Sequence, residues 1–434
     1  MAIVLERATF SAAGAYDRRM LSAPSSFARQ LLRWYDRSRR HLPWRVDPAI
    51  GGEPNPYHVL VSESMLQQTQ VATVIPYFHR FLSRFPTLAD LAAAEEQEVL
   101  RHWQGLGYYS RARNLRSAAQ MIVHELGGRM PSEPNELLKL PGVGRYTAGA
   151  VASIAFGRRA PILDGNVQRV LCRLDAITCD PRERQAQQRL WQRAEEILPR
   201  RRVGDFNSAL MELGALVCTP RNPQCLLCPV RAHCEAFAAG LQEKIPAPKA
   251  AKPTPLVRRQ TYCVRRADGQ WLVEQRPSTG RWAGMWQFVT IAADDPQDNG
   301  AAKKRLQSLQ CDMGAPPMPG ACGGEMSGKR GHLSHHIAGT GETPVSQERS
   351  ATIAKPPRAS ALPIRVRRIR AIGTVTHSLT HRRYEFQVFR CEASAVSAPA
   401  GDRPRRWTTL DRLDEFPLPK PHLRIAQMLR EQPE

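Results

Sequence analysis

The sequence predicts a multidomain chain: an all-α domain at residues 26–244, a linker at 245–257 and a smaller, strand-rich domain at 258–434, behind an N-terminal tail of residues 1–25. Three observations lead there. Apolar residues recur at helical spacing up to about residue 243. The stretch IPAPKAAKPTP at 245–255 has the proline and lysine content of an extended connection. Beyond it, apolar residues alternate as they do in strands. At 434 residues the chain can hold two to three domains, each with its own core.

Charge and hydropathy narrow the partners. A formal net charge of +22 calls for a polyanion. Up to Glu243 the chain has a single lysine, Lys139, and every other strong base is arginine. Arginine forks onto phosphates and stacks on bases, so this usage favours nucleic acid over a merely solvated surface. The longest run of small and apolar residues, 148–156, is far short of the roughly 20 residues that cross a bilayer. The opening MAIVLERATFSAAG has no secretory h-region. The expectation is an intracellular, cytoplasmic, nucleoid-associated monomer with no membrane partner.

Taken in order, Val71, Val74, Ile75, Phe78, Phe81 and Leu82 share one helical face, with Thr69 as N-cap; Pro76 argues against one straight helix. Ser132 and Pro134 open a short helix ending near Lys139, Pro141 stops it, and Gly142 and Gly144 frame a tight turn into a helix from Arg145. Such a turn either only joins two helices or grips a phosphate through exposed amides at the second helix's N-terminus. The arginine-rich charge in the same domain favours phosphate. In the C-terminal domain, QTYCVRRADGQWLVEQR reads as a hairpin around Asp268-Gly269, with further strands at 369–375 and 383–391. Residues 294–363, rich in Gly, Pro, Ser and Ala, read as a disordered insertion. There is no internal repeat.

Cys218, Cys225, Cys228 and Cys234 form a C-x6-C-x2-C-x5-C segment. Zinc usually draws two close pairs, whereas four thiolates on one compact loop suit a [4Fe-4S] cluster, with zinc as the alternative. Cys172, Cys179, Cys263, Cys311, Cys322 and Cys391 read as ordinary thiols.

These segments carry a resemblance. LPGVGRYTAGA at 140–150 resembles the helix-hairpin-helix of the DNA glycosylase superfamily that includes endonuclease III, PILDGNVQRVL resembles the Asp-bearing segment that follows it, and the cysteine spacing resembles its iron-sulfur loop. LPWR at 42–45, SESMLQQTQVATVIPYF at 62–78 and GLGYYSRARNL at 105–115 are similar to MutY-type adenine DNA glycosylases. RWAGMWQFV and VTHSLTHRRYEF resemble the Nudix-related domain of that family. The resemblance implies an all-α helix-hairpin-helix glycosylase domain with an iron-sulfur loop, plus a C-terminal α/β Nudix-like domain. It implies a 4Fe-4S cofactor, and double-stranded DNA with adenine opposite 8-oxoguanine or guanine as partner and substrate.

Cleaving an N-glycosidic bond requires an acid for the leaving base and a negative charge for the sugar cation. Glu63, set among apolar residues that can raise its pKa, and Asp164, between Pro161-Ile162-Leu163 and Gly165-Asn166, are the candidates. A capping or surface glutamate is the plain alternative for Glu63, and a helix N-cap, compatible with catalysis, for Asp164. By the resemblance, Asp164 stabilises the cation electrostatically or covalently while Asn166 and Tyr146 hydrogen-bond around the carboxylates. Bifunctional members place a lysine where Tyr146 stands, and a phenol cannot form an imine, so a monofunctional enzyme is expected. The alternatives are an endonuclease III-like glycosylase and lyase acting through Lys139, and a non-catalytic iron-sulfur DNA-binding or redox-sensing protein. The resemblance further implies that Gln68 and Tyr108 enter the duplex beside the extruded base and that Trp44 and Arg45 receive the adenine; core packing is the alternative for Trp44 and Tyr108. The C-terminal domain lacks the G-x5-E-x7-R-E-x-x-E-E segment of hydrolytic Nudix enzymes, which points to recognition. There Leu379, Thr380 and His381 match a Phe-Ser-His turn that reads 8-oxoguanine, with leucine in place of the aromatic residue.

Overall fold

The computed structural model describes residues 24–46, 51–247, 253–293, 366–379, 381–393 and 403–432. Residues 1–23 of the expected tail, 248–252 of the linker, the whole expected insertion at 294–363 and Thr380 lie outside the described residues. The chain divides into two compact units: one runs to Pro253 and takes in Arg276–Trp286 and Leu413–Lys420, the other comprises Thr254–Gln275, Gln287–Arg412 and Pro421–Glu434.

The first unit is helical and holds two apolar cores. One gathers around Phe78, Phe81, Phe85, Trp103, Leu115 and Ile122 from α2 (Pro56–Leu66), α3 (Val71–Arg84), α4 (Leu88–Ala93), α5 (Glu96–Trp103) and α6 (Ser110–Glu125). α3 is a single helix through Pro76, which lies on the solvent face, where water can meet the carbonyl that the missing N–H leaves unpaired. Its N-cap is Gln70, with no side-chain cap, in place of the expected Thr69. The Thr69 hydroxyl is turned instead toward the Gln67 carbonyl.

A short α7 (Pro134–Leu137) leads through the Gly142–Gly144 turn into α8 (Arg145–Phe156). The second core gathers Leu31, Leu171, Phe206 and Leu210 from α1 (Pro24–Ser38), α9 (Gly165–Leu174), α10 (Arg184–Glu196) and α11 (Val203–Leu216), with α12 (Glu235–Ala238) beyond the cysteine loop. α8 belongs to both cores, giving Val151 and Ala152 to the first and Ala150 to the second. Its alanine-rich sequence lets α2 and α11 approach it closely.

The second unit is α/β. Strands β1 (Leu256–Arg265), β2 (Trp271–Gln275), β3 (Trp286–Ala292), β4 (Val366–Leu379), β5 (Arg382–Ala393) and β6 (Arg405–Thr408) form a sheet in the order β4-β5-β1-β3-β2-β6. β1 runs parallel to β5, from Leu256 opposite Arg383 to Arg265 opposite Glu392, and pairs antiparallel with β2 and β3, as β2 does with β6 and β4 with β5. The expected hairpin is present, with Arg265 opposite Trp271 and Gly269 at φ +86. β4 and β5 overrun the expected strands at both ends. α13 (Lys420–Glu431) buries Ile425, Ala426 and Leu429. Among the described residues, no helix is long and apolar enough to cross a membrane.

Candidate active site

Every residue of α2 from Val59 to Met65 is buried, so its central glutamate has nowhere to reach solvent: Glu63 is 4% exposed. The flanking hydroxyls are satisfied within the helix, Ser62 Oγ on Val59 O and Ser64 Oγ on Leu60 O. Glu63 therefore finds its partner across the helix interface. Tyr146, in the first turn of α8, donates its hydroxyl to Glu63 Oε2 at 2.5 Å and lies 3.3 Å from Met211 Sδ of α11. Burial raises the Glu63 pKa to about 7; the Tyr146 hydrogen bond and the Arg45 charge pull against it, and the Asp164 charge adds to it.

Asp164 is the N-cap of α9, the plain alternative to a catalytic role and one compatible with it. Its Oδ1 accepts from the Val167 amide at 2.7 Å and its Oδ2 from Asn166 Nδ2 at 3.0 Å. Burial raises its pKa, and the Val167 and Asn166 donors and the Arg169 charge pull against that rise. Asn166 is itself held: Arg169 Nη2 donates to Asn166 Oδ1 and to Gly214 O, and Arg169 Nε donates to Cys218 O at 2.7 Å. Gly214 permits this approach of α11 to α9, because a Cβ there would lie 2.6 Å from Asn166 Cβ.

Arg45 reaches the site from the loop after α1, and a residue absent from the sequence reading holds it there. Glu212 of α11, 1% exposed, accepts from Arg45 Nη2 at 2.9 Å and from Arg40 Nε at 2.7 Å. Burial alone would raise the Glu212 pKa; the two guanidinium groups outweigh it and hold it at about 2. A charge inside NSALMELGALV was the available signal, since an unpaired carboxylate does not stay in an apolar helix. Trp44 lies in the core, edge-on to Phe78 at 5.3 Å.

Gln68 and Tyr108 are brought together on the surface. Both are exposed, both hold left-handed backbone (φ +58 and +47), and Tyr108 donates its hydroxyl to Gln68 Oε1 at 2.6 Å. Non-glycine residues in that region cost about 1–3 kcal/mol each, and such strain collects at functional surfaces. In the hairpin, Gly142 has φ +76 and faces Asn114 so closely that a Cβ would lie 2.5 Å away. Gly144 caps α8 with extended backbone, and a Cβ there would meet no protein atom. Lys139 is exposed and paired with Glu136 at 2.9 Å. In the second unit, Leu379 ends β4 opposite Arg382 and His381 is exposed in the turn to β5. Thr380 lies outside the described residues.

The four cysteines occupy one loop around two 3-10 turns, Cys225–Leu227 and Arg231–His233, and all are partly buried. Burial and, after it, the charges of Cys218, Cys234 and Cys225 together push the Cys228 thiol up to about 12, so the sulfurs share one neighbourhood. Buried Arg173 donates to Cys218 Sγ at 3.2 Å and anchors the loop through Thr219 O at 2.7 Å. Among the described residues, no three His, Cys, Asp or Glu side chains converge as they would on a single metal ion. The fit to a cluster rests on the donor set: four cysteine thiols on one loop, with the Arg173 guanidinium donating to one of them, Cys218 Sγ.

The sequence matches the HhH-GPD superfamily of base excision DNA repair proteins over residues 61–196, and the iron-sulfur binding domain of endonuclease III over residues 218–234. The cysteines of that second span are the four described, and the cofactor is a 4Fe-4S cluster. An adenine DNA glycosylase of Homo sapiens is 41% identical over 342 residues, 68% of this chain and 62% of that protein, so the chain spans less than two thirds of the human protein's length. An adenine DNA glycosylase of Buchnera aphidicola (from Schizaphis graminum) is 38% identical over 263 residues, 60% of this chain and 74% of that protein. Among solved structures, a thermostable thymine-DNA glycosylase is 28% identical, covering 50% of this chain and 97% of that one at a TM-score of 0.44.

Proposed function

The chain belongs to the adenine DNA glycosylase family, and from that premise we propose that it removes adenine mispaired with 8-oxoguanine or guanine from duplex DNA, hydrolysing the N-glycosidic bond without a lyase step. The observation that carries this reading is buried Glu63, held by Tyr146 and with a pKa of about 7. A carboxyl group with that pKa keeps a large acid fraction near neutrality and can protonate the departing base. Asp164, whose charge the Val167 and Asn166 donors stabilise against the burial that raises its pKa, stabilises the oxocarbenium-like sugar as the anion. Tyr146 and Asn166 fix the two carboxylates, and Arg45 sets the charge around Glu63. The 4Fe-4S cluster, when bound, ties Cys218, Cys225, Cys228 and Cys234 into one ordered loop.

The duplex is gripped through the amides at the start of α8 by way of Gly142 and Gly144, with Gln68 and Tyr108 filling the space that the extruded adenine leaves. The turn with Leu379, Thr380 and His381 reads the opposite base. Tyr146 speaks against imine chemistry, as does the engagement of Lys139 with Glu136.

Single-turnover excision and gel-shift affinity together test the carboxylate roles. Glu63→Gln and Asp164→Asn are each expected to lower excision by 100-fold or more, on the order of one lost acid-base group, while mispair affinity stays within a few fold. Near-normal excision by both variants would overturn the assignment.

A further inference from the structure

Arg111, the second residue of α6, is buried, and its guanidinium stands between the two loops that carry Gln68 and Tyr108. Nη1 donates to the carbonyls of Ser64, Met65 and Gln67 at 2.8, 2.9 and 2.7 Å. Nη2 donates to Leu106 O and Gly107 O at 3.3 and 3.1 Å and approaches Thr69 Oγ1 at 3.4 Å. The group also lies 5.4 Å from the Tyr108 ring centroid and 5.5 Å from that of Trp103. The carbonyls at 64–67 end α2, where helix geometry leaves acceptors unpaired and the dipole is negative, so a fixed cation is favoured there. Burial lowers the Arg111 pKa to about 10, and the group stays charged at neutrality. One planar fork thus satisfies both loops, and a lysine, with three donors on a point charge, cannot span the same acceptors.

We propose that Arg111 is a positioning residue that locks the 64–69 and 105–108 loops into one unit, so that Gln68 and Tyr108 enter the duplex together. The proposal rests on the reading of those two residues as the ones that enter the duplex. Their left-handed backbones are strained conformations that need the surroundings to over-determine them. A shared anchor does that for both at once. Its loss would leave each loop free to relax, slowing base extrusion rather than bond cleavage.

The test separates extrusion from chemistry. A duplex carrying 2′-fluoro-2′-deoxyadenosine opposite guanine, with 2-aminopurine beside it, reports unstacking alone, because the fluorine disfavours the sugar cation. With wild-type protein the fluorescence should rise on binding. Arg111→Lys should reduce that rise at least threefold at saturating protein, with the Kd for undamaged duplex within twofold. Its excision of adenine opposite guanine should slow about tenfold, while excision of adenine opposite an abasic site, already loosened, should stay within threefold. A rise that Gln68→Ala abolishes and Arg111→Lys preserves overturns the role of Arg111 alone. A rise unchanged in both Gln68→Ala and Tyr108→Ala overturns the duplex-entering reading, and the proposal with it. Equal losses on all substrates, undamaged duplex included, make Arg111 merely structural and also overturn it. If Arg111→Lys does not fold, hydrogen exchange on the wild type decides: the amides of Thr69 and Leu106 should open at one rate, and rates tenfold or more apart contradict a shared anchor.

Discussion

Glu63 owes its pKa to a position that glutamates rarely occupy, the interior of a helix among Val59, Leu60, Val61 and Met65. Burial dominates, and the result is about 7. As the proposed acid it must be protonated to work, so excision should hold below pH 7 and fall about tenfold per unit above it, the lower limb being set by ionisation of Asp164. Tyr146 sharpens the test. Its hydroxyl donates to the carboxylate and so favours the charged form, lowering the pKa. Tyr146→Phe removes a charge-assisted hydrogen bond of roughly 1.5–3 kcal/mol, which at about 1.4 kcal/mol per unit should move the alkaline limb up by about one unit or more. Single-turnover rates across pH 5 to 9 for both proteins check this. A limb that stays in place, or moves down, would remove Glu63 as the titrating group.

At the scale of elements, the site depends on how closely α8, α9 and α11 approach, and small residues set that approach. Gly214→Ala would put a Cβ 2.6 Å from Asn166 Cβ and 3.1 Å from its backbone, so α9 must shift and carry Asp164 with it. The expected cost is about 1–3 kcal/mol in stability, together with a loss of excision larger than the loss of affinity. Thermal unfolding and single-turnover kinetics on the same preparation test it, and an unchanged rate would mean that the α9–α11 spacing does not position Asp164. What was legible here was local. The N-cap role of Asp164 and the turn at Gly142 follow from a few adjacent residues. Glu212, Arg169 and Arg111 were not legible, because their partners lie far along the chain: Glu212 meets Arg40 across 172 residues and Arg111 meets Ser64 across 47. Thr69 misled for a related reason, since its hydroxyl faces the Gln67 carbonyl and the guanidinium of Arg111 and caps nothing.

At the scale of the molecule, the arginine-rich charge and the order of the motifs made a DNA-directed helical domain readable before any coordinates. The sheet was only half readable. The Asp268-Gly269 hairpin announces itself by its turn residues and alternation, while only the middle parts of β4 and β5 were readable as strands. The parallel pairing of β1 with β5 joins residues more than a hundred positions apart, and no local pattern encodes that. Nor does composition foretell that Arg276–Trp286 and Leu413–Lys420 fall with the helical unit. The Glu63 and Asp164 pair is proposed to remove adenine without a lyase step. The most direct measurement gives the purified full chain three duplexes, adenine opposite 8-oxoguanine, adenine opposite guanine, and thymine glycol opposite adenine, with borohydride in a parallel set. The expected result is free adenine from the first two, strand breaks only after added alkali, little trapped protein and no action on the third. Alkali-independent cleavage of the thymine glycol duplex, with borohydride trapping that disappears in Lys139→Ala, would contradict it.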